Sequence, residues 1–182
     1  MMRIFFIFLI GIFLVSCFDM NSRTKDASND VLLIDSTICA KINGTHLDSS
    51  IVMVSPKGHF QKLIDLPNKE QMLFVRYSNY GCKDCINHIV NSMRKQKLNS
   101  HTYFLIAEVP ITDLHVIQST EKLYGAYKLD SFYIDFDDGL TPYVFQITPK
   151  GEICHLHIPR IENPYAFELY LKSFKKRIDS TE

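Results

Sequence analysis

Two rhythms of apolar and polar residues alternate along the chain. Met72 to Tyr77 and Thr102 to Val109 are nearly continuous apolar runs, each broken by a single charged residue, Arg76 and Glu108. Runs of this kind suit central strands covered on both faces. Between them, Ile86, Ile89, Val90 and Met93 recur at the i, i+3, i+4, i+7 spacing of one helix face, which predicts a helix from Cys82 to about Leu98. Near the end of the chain Phe167, Tyr170, Leu171, Phe174 and Ile178 repeat that rhythm. Asn163 as N-cap and Pro164 at the first helical position predict where this last helix starts.

The remaining signals are weaker. Apolar stretches at 38–42, 51–54 and 60–66 predict short strands, punctuated by Asn43-Gly44 and Pro56-Lys57-Gly58. Pro110 ends the second long strand, and Asp113 is a candidate cap for a helix to about Tyr124. A short strand is expected over 132–136. A β-hairpin is expected from 142–147 and 153–158, turning at Thr148-Pro149-Lys150-Gly151-Glu152.

The amino terminus follows another pattern. Met1-Met2-Arg3 is a short basic start, and Ile4 to Val15 holds no charged or strongly polar side chain. That run is shorter than the roughly 20 residues a spanning helix needs and has the form of a signal-peptide core. It ends in Leu14-Val15-Ser16-Cys17, which resembles the lipobox of bacterial lipoproteins. The resemblance implies cleavage after residue 16, lipidation of Cys17 and a place in the bacterial cell envelope, anchored by lipid and facing the periplasm or the exterior. The expected organisation is a leader at 1–16, a polar tether at 17–33 and one domain at 34–182. The tether's unpatterned stretch to about residue 30 would reach on the order of 40 Å if extended.

Charge excludes one class of partner. The chain has 20 basic and 20 acidic residues, and removing residues 1–16 takes away only Arg3, leaving 19 against 20. Near-neutrality without a basic cluster argues against nucleic acid. Lys172, Lys175, Lys176 and Arg177 fall in the last turns of the final helix, where cations complement its dipole.

Five cysteines carry the candidate chemistry. With Cys17 assigned to lipid, Cys39, Cys82, Cys85 and Cys154 remain, and thiols outside the cytoplasm oxidise unless something reduces them. Cys82-Lys83-Asp84-Cys85 joins the end of a strand to the start of a helix. A sulfur there meets unpaired backbone N–H groups and the positive end of the dipole, both of which favour a thiolate. Pairing Cys82 with Cys85 leaves Cys39 and Cys154 as a structural disulfide or as two thiols.

The order of elements, the C-x-x-C at a strand–helix junction and Thr141-Pro142 opening a later strand resemble the thioredoxin fold. More narrowly, residues 36–180 are similar to membrane-tethered bacterial thiol–disulfide oxidoreductases. The resemblance implies an α/β fold with a central mixed β-sheet flanked by helices and an N-terminal β-hairpin extension. It implies Cys82 as nucleophile, Cys85 as resolving thiol, and a cis Pro142 with Thr141 offering backbone groups to a client. Tyr80 and Gly81, on the polar approach to the dithiol, complete the expected client-binding residues. Expected partners are protein thiol or disulfide clients and an upstream electron donor, reached by a monomer with no cofactor beyond the cysteine pair. A role as reductase of specific envelope clients is the favoured direction.

Departures from the family bear on the chemistry. Gly81 stands where a Trp usually precedes the first cysteine, and Arg76 stands where many members keep a buried acid. Glu108 is a candidate substitute proton carrier. A peroxidase signature would place threonine where Asn79 stands. A second reading is a non-catalytic thioredoxin-fold binding or copper- or zinc-handling lipoprotein, with Cys82, Cys85 and His88 joined by His155 or His157. Against metal, structural zinc favours paired motifs and there is one pair here. His88 is expected on the exposed side of its helix, with His155 and His157 alternating about Leu156.

Overall fold

The computed structural model describes residues 35–129, 132 and 140–180. The chain divides into two units, 1–38 and 39–182. Of the first, the described residues 35–38 are helical. The leader, the tether and Cys17 lie outside the described residues, as does the strand expected over 132–136 apart from Phe132. Among the described residues no helix is long and apolar enough to cross a membrane.

The second unit is built on a mixed seven-stranded sheet. Its strands are β1 (Val52–Val54), β2 (Phe60–Lys62), β3 (Leu73–Ser78), β4 (Thr102–Ala107), β5 (Gly125–Lys128), β6 (Tyr143–Ile147) and β7 (Ile153–His157), in the order β2-β1-β5-β4-β3-β6-β7. The two long apolar runs become β3 and β4, parallel, central and buried throughout. β5 continues the parallel set beyond β4, while β6 and β7 add antiparallel strands beyond β3. β1 and β2 form the expected N-terminal hairpin, with the Ser55 and His59 backbones closing its turn.

Helices α1 (Lys83–Lys95), α2 (Ile111–Thr120) and α3 (Pro164–Asp179) bury their apolar stripes in one shared core. Leu73, Val75 and Tyr77 of β3, and Phe104 and Ile106 of β4, meet Ile89 and Met93 of α1, Leu114 of α2 and Phe167 and Leu171 of α3. Burying each such side chain contributes about 1.5–3 kcal/mol, which holds α1 and hence the C-x-x-C in place. The pleat sends alternate residues the other way. There Phe74 stacks on Phe145 at 5.3 Å and lies 5.7 Å from Tyr103, and Phe132 covers Phe145 at 5.4 Å.

Several local expectations are corrected. Residues 39–42 are helical rather than a strand. Asn43-Gly44 ends that helix: Asn43 N–H donates to the Cys39 carbonyl at 3.0 Å and Gly44 takes φ +89°, the left-handed conformation that stops a helix without steric cost. The stretch 60–66 is strand only to Lys62, and Leu63–Asp65 is a 3₁₀ turn that buries Leu63. α2 starts at Ile111 with Pro110 at its cap position, so Asp113 sits in the first turn, and it ends at Thr120 rather than near Tyr124. β5 then occupies residues for which no strand was expected; four residues that pair mainly with β4 carry no periodic signal.

Candidate active site

Topology gathers the site at one end of the sheet. β3 runs into the C-x-x-C, and Tyr143, the first residue of the antiparallel β6, pairs with Arg76. Thr141 and Pro142 therefore lie beside the segment that leads to Cys82. β7 returns antiparallel to β6, with His157 opposite Val144, so Pro159 to Glu162 arrive at the same end. The result is a cleft of about 510 Å³. Tyr80, Gly81, Cys82, Cys85, Thr141 and Pro142 all line it, and Leu140 with Pro159, Arg160, Ile161 and Glu162 completes its wall.

Cys82 and Cys85 are joined as a disulfide. Cys82 is exposed and is the N-cap of α1, its sulfur accepting from the Cys85 N–H at 3.2 Å; Cys85 is half-buried one turn deeper. Asp84 in the first turn and Arg94 and Lys95 in the last complement the dipole that acts on Cys82.

The approach to Cys82 is held by short-range bonds. Ser78 Oγ donates to Glu108 Oε2 at 2.5 Å and accepts from the Tyr80 N–H at 3.0 Å, and the Ser78 carbonyl accepts from the Gly81 N–H at 3.0 Å. Glu108, considered as a proton carrier, thus secures the loop through Ser78. Tyr80 projects outward, 75% exposed. Gly81 accounts for the missing Trp: a Cβ there would lie 2.8 Å from the Leu140 carbonyl oxygen and 3.1 Å from that of Ser78. In this chain the Leu140 backbone closes against the position where the family carries a side chain.

Other expectations change. No cis peptide bond occurs among the described residues, so Thr141–Pro142 is trans. Trans is the isomer an X–Pro bond favours by about 0.5–1 kcal/mol. Arg76 is 2% exposed, on the sheet face opposite α1, and its guanidinium donates to the Tyr77 carbonyl at 2.8 Å. It brings no acid beneath the dithiol. His88 is half-buried rather than exposed, its ring 5.8 Å from Phe167. His155 is exposed, Leu156 buried and His157 half-buried, the alternation expected, although β7 carries a bulge where His155 takes φ +52°; His157 stacks on Phe167 and Tyr170 at 5.6 and 4.9 Å. Among the described residues no three His, Cys, Asp or Glu side chains are arranged to hold a metal ion.

Cys39 and Cys154 are both half-buried thiols, which answers the pairing left open by the sequence. Burial pushes the Cys154 thiol above its usual range, with the Arg177 charge pulling the other way and Glu152 adding to the rise.

Solved structures share this architecture. A thiol peroxidase from Chromobacterium violaceum superposes with a TM-score of 0.50 at 12% identity, covering 73% of this chain and 87% of its own. The thioredoxin domain of a thiol-disulfide oxidoreductase from Bacteroides vulgatus gives 0.44 at 12% identity, with 71% and 97% covered. A peroxiredoxin-like protein from Aquifex aeolicus gives 0.47 at 8% identity, with 72% and 86% covered. The chain has a thioredoxin-like fold. No protein-family model and no curated sequence matches it. For this thioredoxin-like chain the identities are low enough that likeness carries the fold and nothing finer. The peroxidase signature remains unmet, since its proline and threonine would fall on Val75 and Asn79.

Sequence pattern had no means of finding Leu140 or the Pro159 to Glu162 segment. They are loop residues without a motif, and only the strand order carries them to the disulfide.

Proposed function

We propose that the chain is a thiol–disulfide oxidoreductase that reduces specific protein clients of the bacterial envelope while tethered through lipid on Cys17. The observation that carries the redox reading is the Cys82–Cys85 disulfide at the N-terminus of α1, its outer sulfur exposed in an open cleft. In the reduced protein, the Cys82 thiolate attacks a client disulfide, releasing one client thiolate and forming a mixed disulfide. Cys85 then attacks the Cys82 sulfur, frees the second client thiolate and regenerates the internal disulfide. An upstream thiol donor resets the pair. Thr141 and Pro142 flank the incoming client backbone, with Tyr80 and Gly81 on the other side of the cleft.

The leader sequence and the Leu14-Val15-Ser16-Cys17 motif support the envelope location and the anchor. The test is a redox titration of the full chain combined with a Cys85→Ala trap in cells. A reversible Cys82–Cys85 couple near −270 mV, with captured envelope proteins released by dithiothreitol, is the reductase outcome. A potential near −120 mV would reverse the direction, and a pair that does not cycle would end the redox reading.

A further inference from the structure

Resolution of a mixed disulfide by Cys85 requires its thiol proton to go somewhere. In this chain the usual acid is replaced by Arg76, which can only donate and lies on the far face of the sheet. Glu108 is engaged by the Ser78 hydroxyl.

α1 supplies another group. Cys85, His88, Ser92 and Lys95 follow one another at i, i+3, i+7 and i+10, a single stripe. That stripe faces α3: Lys95 Nζ donates to Glu168 Oε1 at 2.8 Å, and the His88 ring packs 5.8 Å from Phe167. Helical side chains lean toward the helix N-terminus, over the turn at i−3 and i−4. His88 accordingly leans over the turn that holds Cys85, with about 5–6 Å between the two Cβ atoms. Its Nε2 is enclosed and has no hydrogen-bond partner. A buried ring nitrogen in that condition is costly, and a catalytic role is one explanation for its being kept.

We infer that His88 is the proton acceptor for the Cys85 thiol during resolution of the mixed disulfide, an inference that rests on the redox reading above. The Cys85 S–H proton passes to His88, directly or through one water. The Cys85 thiolate attacks the Cys82 sulfur, the Cys82–client S–S bond breaks, and the client sulfur leaves with the electron pair. Imidazolium then returns the proton to solvent. Cys85 and Cys82 end oxidised and the client reduced, so the electrons balance without another reagent.

The charged and titratable groups around this pair are few. Asp84 and Lys95 lie on the same helix, Glu168 and Lys172 on α3, His157 on β7 across Phe167, and Arg160 and Glu162 on the cleft wall. Glu168 is held below the usual carboxylate range by the Lys95 hydrogen bond first, with Lys172 and His88 adding to it.

The experiment is a stopped-flow reaction of the reduced full chain with one equivalent of Ellman's reagent across pH. The first thiolate released reports attack by the exposed Cys82, and the second reports resolution by Cys85. In the wild type the second phase should rise with pH below the range in which an unassisted thiol ionises. In His88→Gln that rise should move to the thiol range above about 8, with resolution about 10²-fold slower at pH 7 and the first phase within about twofold. His88→Phe, which keeps a ring against Phe167, should reproduce the His88→Gln profile. Superimposed second-phase profiles, equal slowing of both phases at every pH, or a wild-type profile in His88→Phe would each overturn the inference. A wild type that releases only one thiolate would overturn the redox reading with it, so the two failures are distinguishable.

Discussion

Cys82 and Cys154 are the same side chain in two settings. Cys82 caps α1, exposed, beside backbone N–H groups that favour its anion. Cys154 lies in β7, half-buried, and burial pushes its thiol up despite Arg177 nearby. A helix N-terminus offers oriented donors that a sheet edge lacks, and solvent access then lets a client reach the sulfur. Reactivity in this chain therefore follows from placement rather than from the number of cysteines.

The sharpest way to break that comparison is substitution. Cys82→Ser should abolish disulfide reduction, and Cys85→Ala should convert turnover into a trapped mixed disulfide. Cys39→Ser and Cys154→Ser should keep activity within about twofold, as expected of a change outside the reacting pair. Insulin or client reduction assays measure all four, and a Cys154→Ser loss as large as that of Cys82→Ser would reverse the assignment. A smaller difference is expected in alkylation of the reduced protein. Iodoacetamide at pH 7 should modify Cys82 at least about tenfold faster than Cys154, because a thiolate is the nucleophile. Peptide mapping by mass spectrometry reads the order, and equal rates would contradict it.

Gly81→Ala probes the close approach of the Leu140 backbone to the residue before Cys82. Its Cβ would meet backbone oxygens of Leu140 and Ser78, which cannot rotate away as a side-chain tip can. A loss of about 1–3 kcal/mol in urea unfolding is expected, together with weaker client binding. Unchanged stability would mean that the Leu140 segment yields freely. The smallest effect concerns the tie between α1, which carries Cys82, and α3. Glu168 has its carboxyl pKa lowered in the fold, first by the Lys95 hydrogen bond. A depressed carboxylate pKa gives stability that is present above the unfolded value and lost as pH falls through the folded one. Glu168→Gln should therefore lower the melting temperature by about 1 °C or less at pH 7, since an exposed pair contributes little, and the difference should shrink as acid protonates the carboxyl. A difference that persisted in acid would have another cause.

How far the fold was legible follows from how locally each element is encoded. β3, β4, α1 and α3 bury long regular stripes, so their periodicity shows in the sequence. β5 was hidden because its four residues are placed by pairing with β4 rather than by any pattern of their own. Residues 39–42 are helical, and their sequence does not show it because a short apolar run has no resolvable period. At the site, Cys82 and Cys85 announce themselves by spacing and flanks, whereas Leu140 and the Pro159 to Glu162 segment do not. His88 was visible as a residue three positions after Cys85, but its burial depends on Phe167, some eighty residues away.

The sequence by itself determined a dithiol at the mouth of an amphipathic helix, because a strand pattern, a cap and a helical stripe are local facts. It also determined the lipobox-like Leu14-Val15-Ser16-Cys17 and the turn chemistry of the hairpins. Only the tertiary structure decided what surrounds the sulfurs. Strand order brought Pro142 and Arg160 to them, the Leu140 backbone excluded a side chain at Gly81, and α3 set Phe167 beside the ring of His88. Those contacts join residues far apart in the chain, and such contacts come from packing and pairing across the sheet rather than from any neighbouring residue.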